Sequence, residues 1–224
     1  MELYEAMHTT AAIREFTGEP LPDEVLHRIL DNARFAPSGG NRQGVRLVLV
    51  TERETRERLA DLVAPGARRY AAQGKAGETP WNPVAPTALS AEQIAATRVP
   101  GFFVVPFLTA AVLVVVLVDL STLAATDQEL DRIGLVSGAS VYPLVWNLLL
   151  AARAEGFGGV VNTMAVPAEP AVLDLLGAPA NHALACVVPL GKPVKQPTRL
   201  RRQPVESFVT RERYNGEAFT LDPE

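Results

Sequence analysis

Apolar residues return at helical spacing along several parts of the chain. Leu3, Ala6, Met7 and Ala11 fall near one face and predict a first helix within residues 3–16. A second begins at Pro22, whose fixed φ suits a first helical turn. Asp23 and Glu24 sit at its positive end, and Val25, Ile29 and Ala33 run along one side. It should stop before Pro37, because a residue preceding proline is pushed out of the helical region. Shorter helices are predicted over residues 51–63, 91–98 and 167–176, the last stopped by Gly177. The longest helical signal covers residues 130–155. It is apolar on more than one side, as in a helix buried within a fold or an interface, with a kink expected at Pro143 and an end at Gly156.

Strand patterns alternate with these helices. Residues 46–51 read Arg-Leu-Val-Leu-Val-Thr; residues 111–118 are rich in valine; Val160 and Val161 mark a third strand; residues 183–190 form the last. Between the first two, residues 65–88 lose periodicity and collect glycine and proline, which predicts an excursion or lid extending over about residues 65–107. Residues 198–224 are polar and arginine-rich and predict a C-terminal arm. The order suggests one layered α/β or α+β domain over residues 1–224. A doubly wound dinucleotide fold is disfavoured, because Gly156-Phe157-Gly158-Gly159 is not GxGxxG and follows a helix.

Composition narrows the classes. The chain has 224 residues, 48% hydrophobic and 21% charged, which is enough for a core without staples. A net charge of −4 gives no basic footprint for nucleic acid. The single cysteine, Cys186, excludes an internal disulfide, and it lies in an apolar run that favours a buried structural thiol. The three histidines are too scattered for metal spacing. The N-terminus lacks the basic start and apolar run of a signal peptide. The nearly apolar stretch 99–118 is broken by Pro100 and Pro106, so a membrane span is disfavoured and a cytoplasmic protein is expected.

The hydrolase and nucleotide signatures fail. Ser137-Gly138-Ala139-Ser140 is not a GxSxG elbow, and no GxxxxGK loop occurs. A chain without nucleophile, metal cage or evident base can take its chemistry from an organic cofactor. Four segments then stand out together: Thr9–Phe16 with Arg14, the block Ala36-Pro37-Ser38-Gly39-Gly40-Asn41-Arg42-Gln43, the stretch Asn147 to Gly158 that ends the long apolar helix, and Arg199-Leu200-Arg201-Arg202-Gln203-Pro204-Val205-Glu206. Each has a plainer reading. Arg14 could be a solvated helix-end charge, Pro-Ser-Gly-Gly is good turn chemistry, and the C-terminal arginines could be a solvated tail.

In this order, and across nearly the whole chain, the four segments resemble the FMN-dependent nitroreductase family. The resemblance implies an α+β sandwich, a mainly antiparallel central sheet covered by helices, and an intertwined homodimer with FMN at the interface. It implies cofactor contacts from Arg14, Pro37, Ser38, Gly39, Asn41 and Gln43, a backbone amide at Thr163 or Met164 near flavin N5, and phosphate binding by Arg201 and Arg202. The chemistry agrees: arginine forks suit phosphate or the flavin's pyrimidine edge, and Asn41 and Gln43 both donate and accept. The chain departs from the family at Thr10, Ala11 and Ala12, where many members carry an arginine and a serine. It also has no lysine or arginine between Arg98 and Arg132. Tyr70, Phe102, Phe103 and Phe107 are substrate or lid candidates, and with Trp81 they could stack on an aromatic acceptor or pack as core.

The implied activity is ping-pong transfer from NAD(P)H through flavin N5 to an electron-poor acceptor such as a nitroaromatic or quinone. Two rivals are a specialised flavin-dependent dehydrogenase or desaturase of a biosynthetic metabolite and a non-enzymatic FMN-binding protein. No metal, nucleic-acid or membrane partner is expected.

Overall fold

The computed structural model describes residues 1–221; Asp222, Pro223 and Glu224, the end of the expected arm, lie outside the described residues. In chain order the elements are α1 (Leu3–Thr9), α2 (Asp23–Ala33), β1 (Val45–Val50), α3 (Arg53–Lys75), α4 (Ala91–Ala95), α5 (Gly101–Thr109), β2 (Val112–Asp119), α6 (Tyr142–Ala154), β3 (Gly158–Gly159), α7 (Glu169–Leu176) and β4 (His182–Gly191). The strands form one sheet in the order β1-β2-β4-β3, antiparallel at every pairing.

β2 explains the layering. Side chains alternate along a strand, and both of its faces are apolar. Val112, Val114, Val116 and Val118 pack on one side with Ile29 of α2 and Val145 and Leu148 of α6. Leu113, Val115 and Leu117 pack on the other with Leu59 and Val63 of α3, Phe107 of α5 and Val172 of α7. Helices on both faces of an antiparallel sheet make this the α+β architecture that the resemblance implies. Cys186 is completely buried in the first of these clusters, and burial pushes its thiol up to about 12. No described helix is long and apolar enough to cross a membrane.

Four expected elements are corrected. The first helix stops at Thr9 instead of continuing toward residue 16, and the Thr9 and Thr10 hydroxyls bond back to Glu5 O and Ala6 O. The chain beyond is extended because it docks on β3, Ile13 N–H donating to Gly159 O at 2.9 Å. α3 runs on through Pro65 to Lys75, so the first part of the expected excursion is helical. Leu59, Val63 and Ala67, four residues apart and completely buried, supply the packing that outweighs the hydrogen bond lost at Pro65.

The signal over 130–155 resolves into a loop, a 3₁₀ turn at Val136–Ser140 and α6, with Pro143 in the first turn of α6 instead of at a kink. Buried Asp127 is the cause: its carboxylate accepts the Leu135 and Val136 amides, at 2.7 and 3.3 Å, and the Arg132 guanidinium at 2.7 Å. Those amides are thereby taken from any longer helix, and Leu130, Ile133 and Leu135 are left exposed. The third strand is shorter than Val160 and Val161 suggest: it is Gly158–Gly159, followed by a bridge from Asn162 to Val187.

Candidate functional site

The segment after α1 sets one edge of the site. Ile13 is hydrogen-bonded to β3, and Phe16 bridges to Pro193 just past β4, so Arg14 between them projects outward from a fixed backbone. Its guanidinium lies 5.9 Å from the centroid of Phe102 on α5, over a cleft of about 330 Å³ that Glu15 and Lys195 also line. Aromatic contacts continue inward. Phe102 and Phe103 are 4.3 Å apart, and Phe103 meets Tyr70 of α3 edge-on at 5.2 Å. Tyr70 in turn lines a cavity of about 570 Å³ with Trp81, Tyr142, Thr163 and Met164. A continuous strip thus joins the Arg14 cation to the Thr163–Met164 backbone.

That backbone is held from two directions. Asn162, buried beside β4, donates through Nδ2 to Phe103 O at 3.4 Å and accepts the Met164 amide on Oδ1 at 2.9 Å. Met164 N–H is therefore engaged, whereas Thr163 N–H has no partner among the described residues.

The loop at residues 37–43 lines a cleft of its own. Ser38 Oγ accepts Gln43 N–H, and Gly39 N–H donates to Ser140 Oγ, both at 3.0 Å. Gln43 Nε2 donates to Asn41 Oδ1 at 3.2 Å. Positive φ recurs at Gly40 (59°), Asn41 (54°) and Gln43 (51°). Asparagine tolerates this region; glutamine rarely enters it, and such strain persists only where surrounding contacts over-determine the backbone. Pro37, Ser38 and Gln43 open on a cleft of about 220 Å³ shared with Arg34, Arg46 and Ser140.

Arg202 lies in a third place. With His8, Arg199 and Met7 it lines a cleft of about 500 Å³ beside α1, and its Nη1 donates to the carbonyl of the exposed Arg201 at 2.7 Å. Within one chain, then, Arg14, Tyr70, Phe102, Phe103, Thr163 and Met164 come together. The 37–43 loop and Arg202 line clefts of their own and share no described contact with Arg14.

The three phenylalanines divide by helical face. Phe107 is completely buried against Leu59 and Val115, so it packs as core and is corrected as a lid residue. Phe103 is nearly buried and supports Tyr70; Phe102 is half-exposed beneath Arg14. Lys195, Ser140 and Asn162 are additions that sequence reasoning did not single out. Ser140 carried a signal, a hydroxyl within an otherwise apolar run. Lys195 carried none, because its meeting with Arg14 depends on how the chain returns after β4. No cluster of metal-ligating side chains occurs among the described residues.

Comparison with known proteins bears on the family and the fold. A 53-residue stretch is 43% identical to a Streptomyces griseus protein assigned as an NADH dehydrogenase/NAD(P)H nitroreductase, taking in 24% of this chain and 27% of that relative. Human iodotyrosine deiodinase 1 is 22% identical over 93% of this chain and 68% of its own length. The solved NADPH:FMN oxidoreductase of Vibrio harveyi, complexed with NAD+, superposes with a TM-score of 0.66 at 23% identity, over 95% of this chain and 78% of that one, which establishes a shared fold. The model of the nitroreductase family matches residues 9–192, and the chain belongs to that family.

Proposed function

We propose that this chain is an FMN-dependent oxidoreductase that passes electrons from NAD(P)H to an electron-poor aromatic or quinone acceptor, and that it works as a homodimer. The observation that carries the reading is the strip from Arg14 through Phe102, Phe103 and Tyr70 to Thr163. It offers a cation, aromatic surface and an unpaired amide along one strip, a donor set suited to a flavin's pyrimidine edge and ring system. The basic cleft of Arg202, Arg199 and His8 has the charge that a phosphate requires.

The cofactor would supply two-electron transfer, and the protein positioning and electrostatics. Arg14 would stabilise negative charge on the pyrimidine edge, and Thr163 N–H would donate to the ring system. No side-chain acid is required, since solvent can protonate a product. Donor and acceptor would use the aromatic cavity in turn. Arg14 and the 37–43 loop line different clefts of one chain, which is compatible with a shared site in which a second copy contributes that loop. Exposed Tyr4 and Met7 on α1, Tyr142 and Trp146 on α6, and Leu130 to Val136 before it provide apolar surface for such a partner.

The test is an absorption spectrum of the purified protein followed by anaerobic titration with NADH and NADPH. A flavin spectrum bleached by either nucleotide is expected. A colourless protein that takes up no FMN would overturn the reading. A bound flavin that neither nucleotide reduces would move it to the specialised dehydrogenase, and sustained turnover with any acceptor removes the storage alternative.

A further inference from the structure

The loop after α3 carries Trp81, and a connected set of contacts holds it. Its backbone N–H donates to Oε1 of Gln73 at 3.0 Å, and Gln73 is 2% exposed. Gln73 Nε2 donates to Glu78 Oε2 at 3.1 Å, and the same carboxylate accepts Thr87 Oγ1 at 2.6 Å and the Ala88 amide at 2.9 Å. Glu78 therefore ties both ends of the loop to the end of α3. The Thr87 hydroxyl and the Ala88 amide accordingly hold its carboxyl below the usual range. The Arg69 guanidinium lies 4.2 Å from the Trp81 ring centroid, while its buried Nε finds no hydrogen-bond partner among the described residues. Trp81 itself has φ of 54°, a conformation that a bulky side chain rarely adopts unless surroundings impose it.

This clamped ring borders the 570 Å³ cavity that Tyr70, Tyr142, Thr163 and Met164 also line, and none of the described residues lining that cavity is charged. We infer that Trp81 is the fixed stacking wall of the acceptor pocket, that Glu78 is its positioning residue, and that the pocket selects uncharged planar aromatics over aromatics bearing a carboxylate or a zwitterion. The physical reason is desolvation. A carboxylate entering this cavity loses water and meets no cation among the described lining residues, the Arg69 guanidinium being packed against the Trp81 ring. A flat ring gains a rigid aromatic surface whose ordering cost was met when the loop folded. The inference rests on the proposed oxidoreductase only in calling the ligand an acceptor.

The test is calorimetric titration of the purified protein with 4-nitrobenzamide and 4-nitrobenzoate, which share a ring and differ in charge. The amide should bind at least about tenfold more tightly. Trp81→Ala should weaken amide binding about three- to tenfold, and Trp81→Phe should restore most of it. In a Trp146→Phe background Trp81 is the one remaining tryptophan, so acrylamide quenching reports its mobility; Glu78→Ala should raise that quenching. Equal binding of the two probes, no binding of either, or unchanged amide affinity in Trp81→Ala would overturn the pocket assignment. Unchanged quenching in Glu78→Ala would overturn the clamp. A colourless protein that binds the amide through Trp81 sinks the flavin reading alone, and a yellow one indifferent to Trp81→Ala sinks this inference alone.

Discussion

A β-carbon on Gly66 would overlap the carbonyl oxygen of Met164. α3 can pass so close to the Thr163–Met164 backbone because position 66 has no side chain. Alanine there must push apart the helix and the segment that offers the free amide. Gly66→Ala should cost about 1–3 kcal/mol of stability, as overpacking does, and should weaken FMN uptake. Gly74, on the same helix, is exposed and meets nothing nearer than 3.9 Å. Gly74→Ala should instead stabilise by about 0.5–1 kcal/mol through helix propensity. Urea unfolding of both variants checks the contrast.

Arg14 is exposed and makes its one aromatic contact with Phe102, so it contributes little to the fold. Arg14→Ala should leave the unfolding midpoint nearly unchanged while raising the dissociation constant for FMN about tenfold or more, the scale of one charge-assisted hydrogen bond. Fluorescence titration of apoprotein with FMN gives the number. Unaltered affinity would remove Arg14 from the site.

Phe107 and Phe102 lie five residues apart on α5 and should respond oppositely to truncation. Phe107→Ala opens a cavity between α3 and the sheet and should cost about 3–5 kcal/mol. Phe102→Ala removes a half-exposed ring and should cost well under half of that, with its effect read in the Arg14 cleft. Parallel thermal and denaturant melts distinguish them.

Asp127 ties the loop before α6, and the Leu135 amide, followed by Arg132, lowers its carboxyl from 3.8 to about 2. A depressed folded value means that the ionised form favours the native state. Its contribution is complete above about pH 4 and disappears as the pH falls through about 2. Asp127→Asn should therefore be less stable than the parent at neutral pH, and the gap should close on acidification across that window. Unfolding curves at stepped pH test the sign.

Cys186 is completely buried, and burial raises its thiol to about 12, so the native protein holds neither thiolate nor access for a reagent. Iodoacetamide should label it only as fast as the chain unfolds. Mass spectrometry along a urea gradient should find labelling coincident with global unfolding.

The valine-rich strand, the helix from Asp23 to Ala33, the stop at Gly177 and the buried cysteine were all legible in the sequence, because local periodicity and residue size decide them. The ordered motifs also pointed to the family, since spacing along the chain survives in the sequence. The Arg14 cleft was legible only in part: the arginine was found, its neighbours Phe102 and Lys195 were not paired with it.

Tertiary structure decided what local pattern could not. Pro65 stays helical because Val63 and Ala67 are buried beside it, while the apolar run from Leu130 is not helical because Asp127 takes its amides. Arg14 lies over Phe102 because the neighbouring Ile13 docks on β3 at the sheet edge. The clamp on Trp81 exists because Gln73, Thr87 and the Ala88 amide converge on the Glu78 carboxylate. A sequence carries periodicity along one dimension; contacts between distant segments depend on which surfaces bury together, and that is settled by the packing of the whole chain.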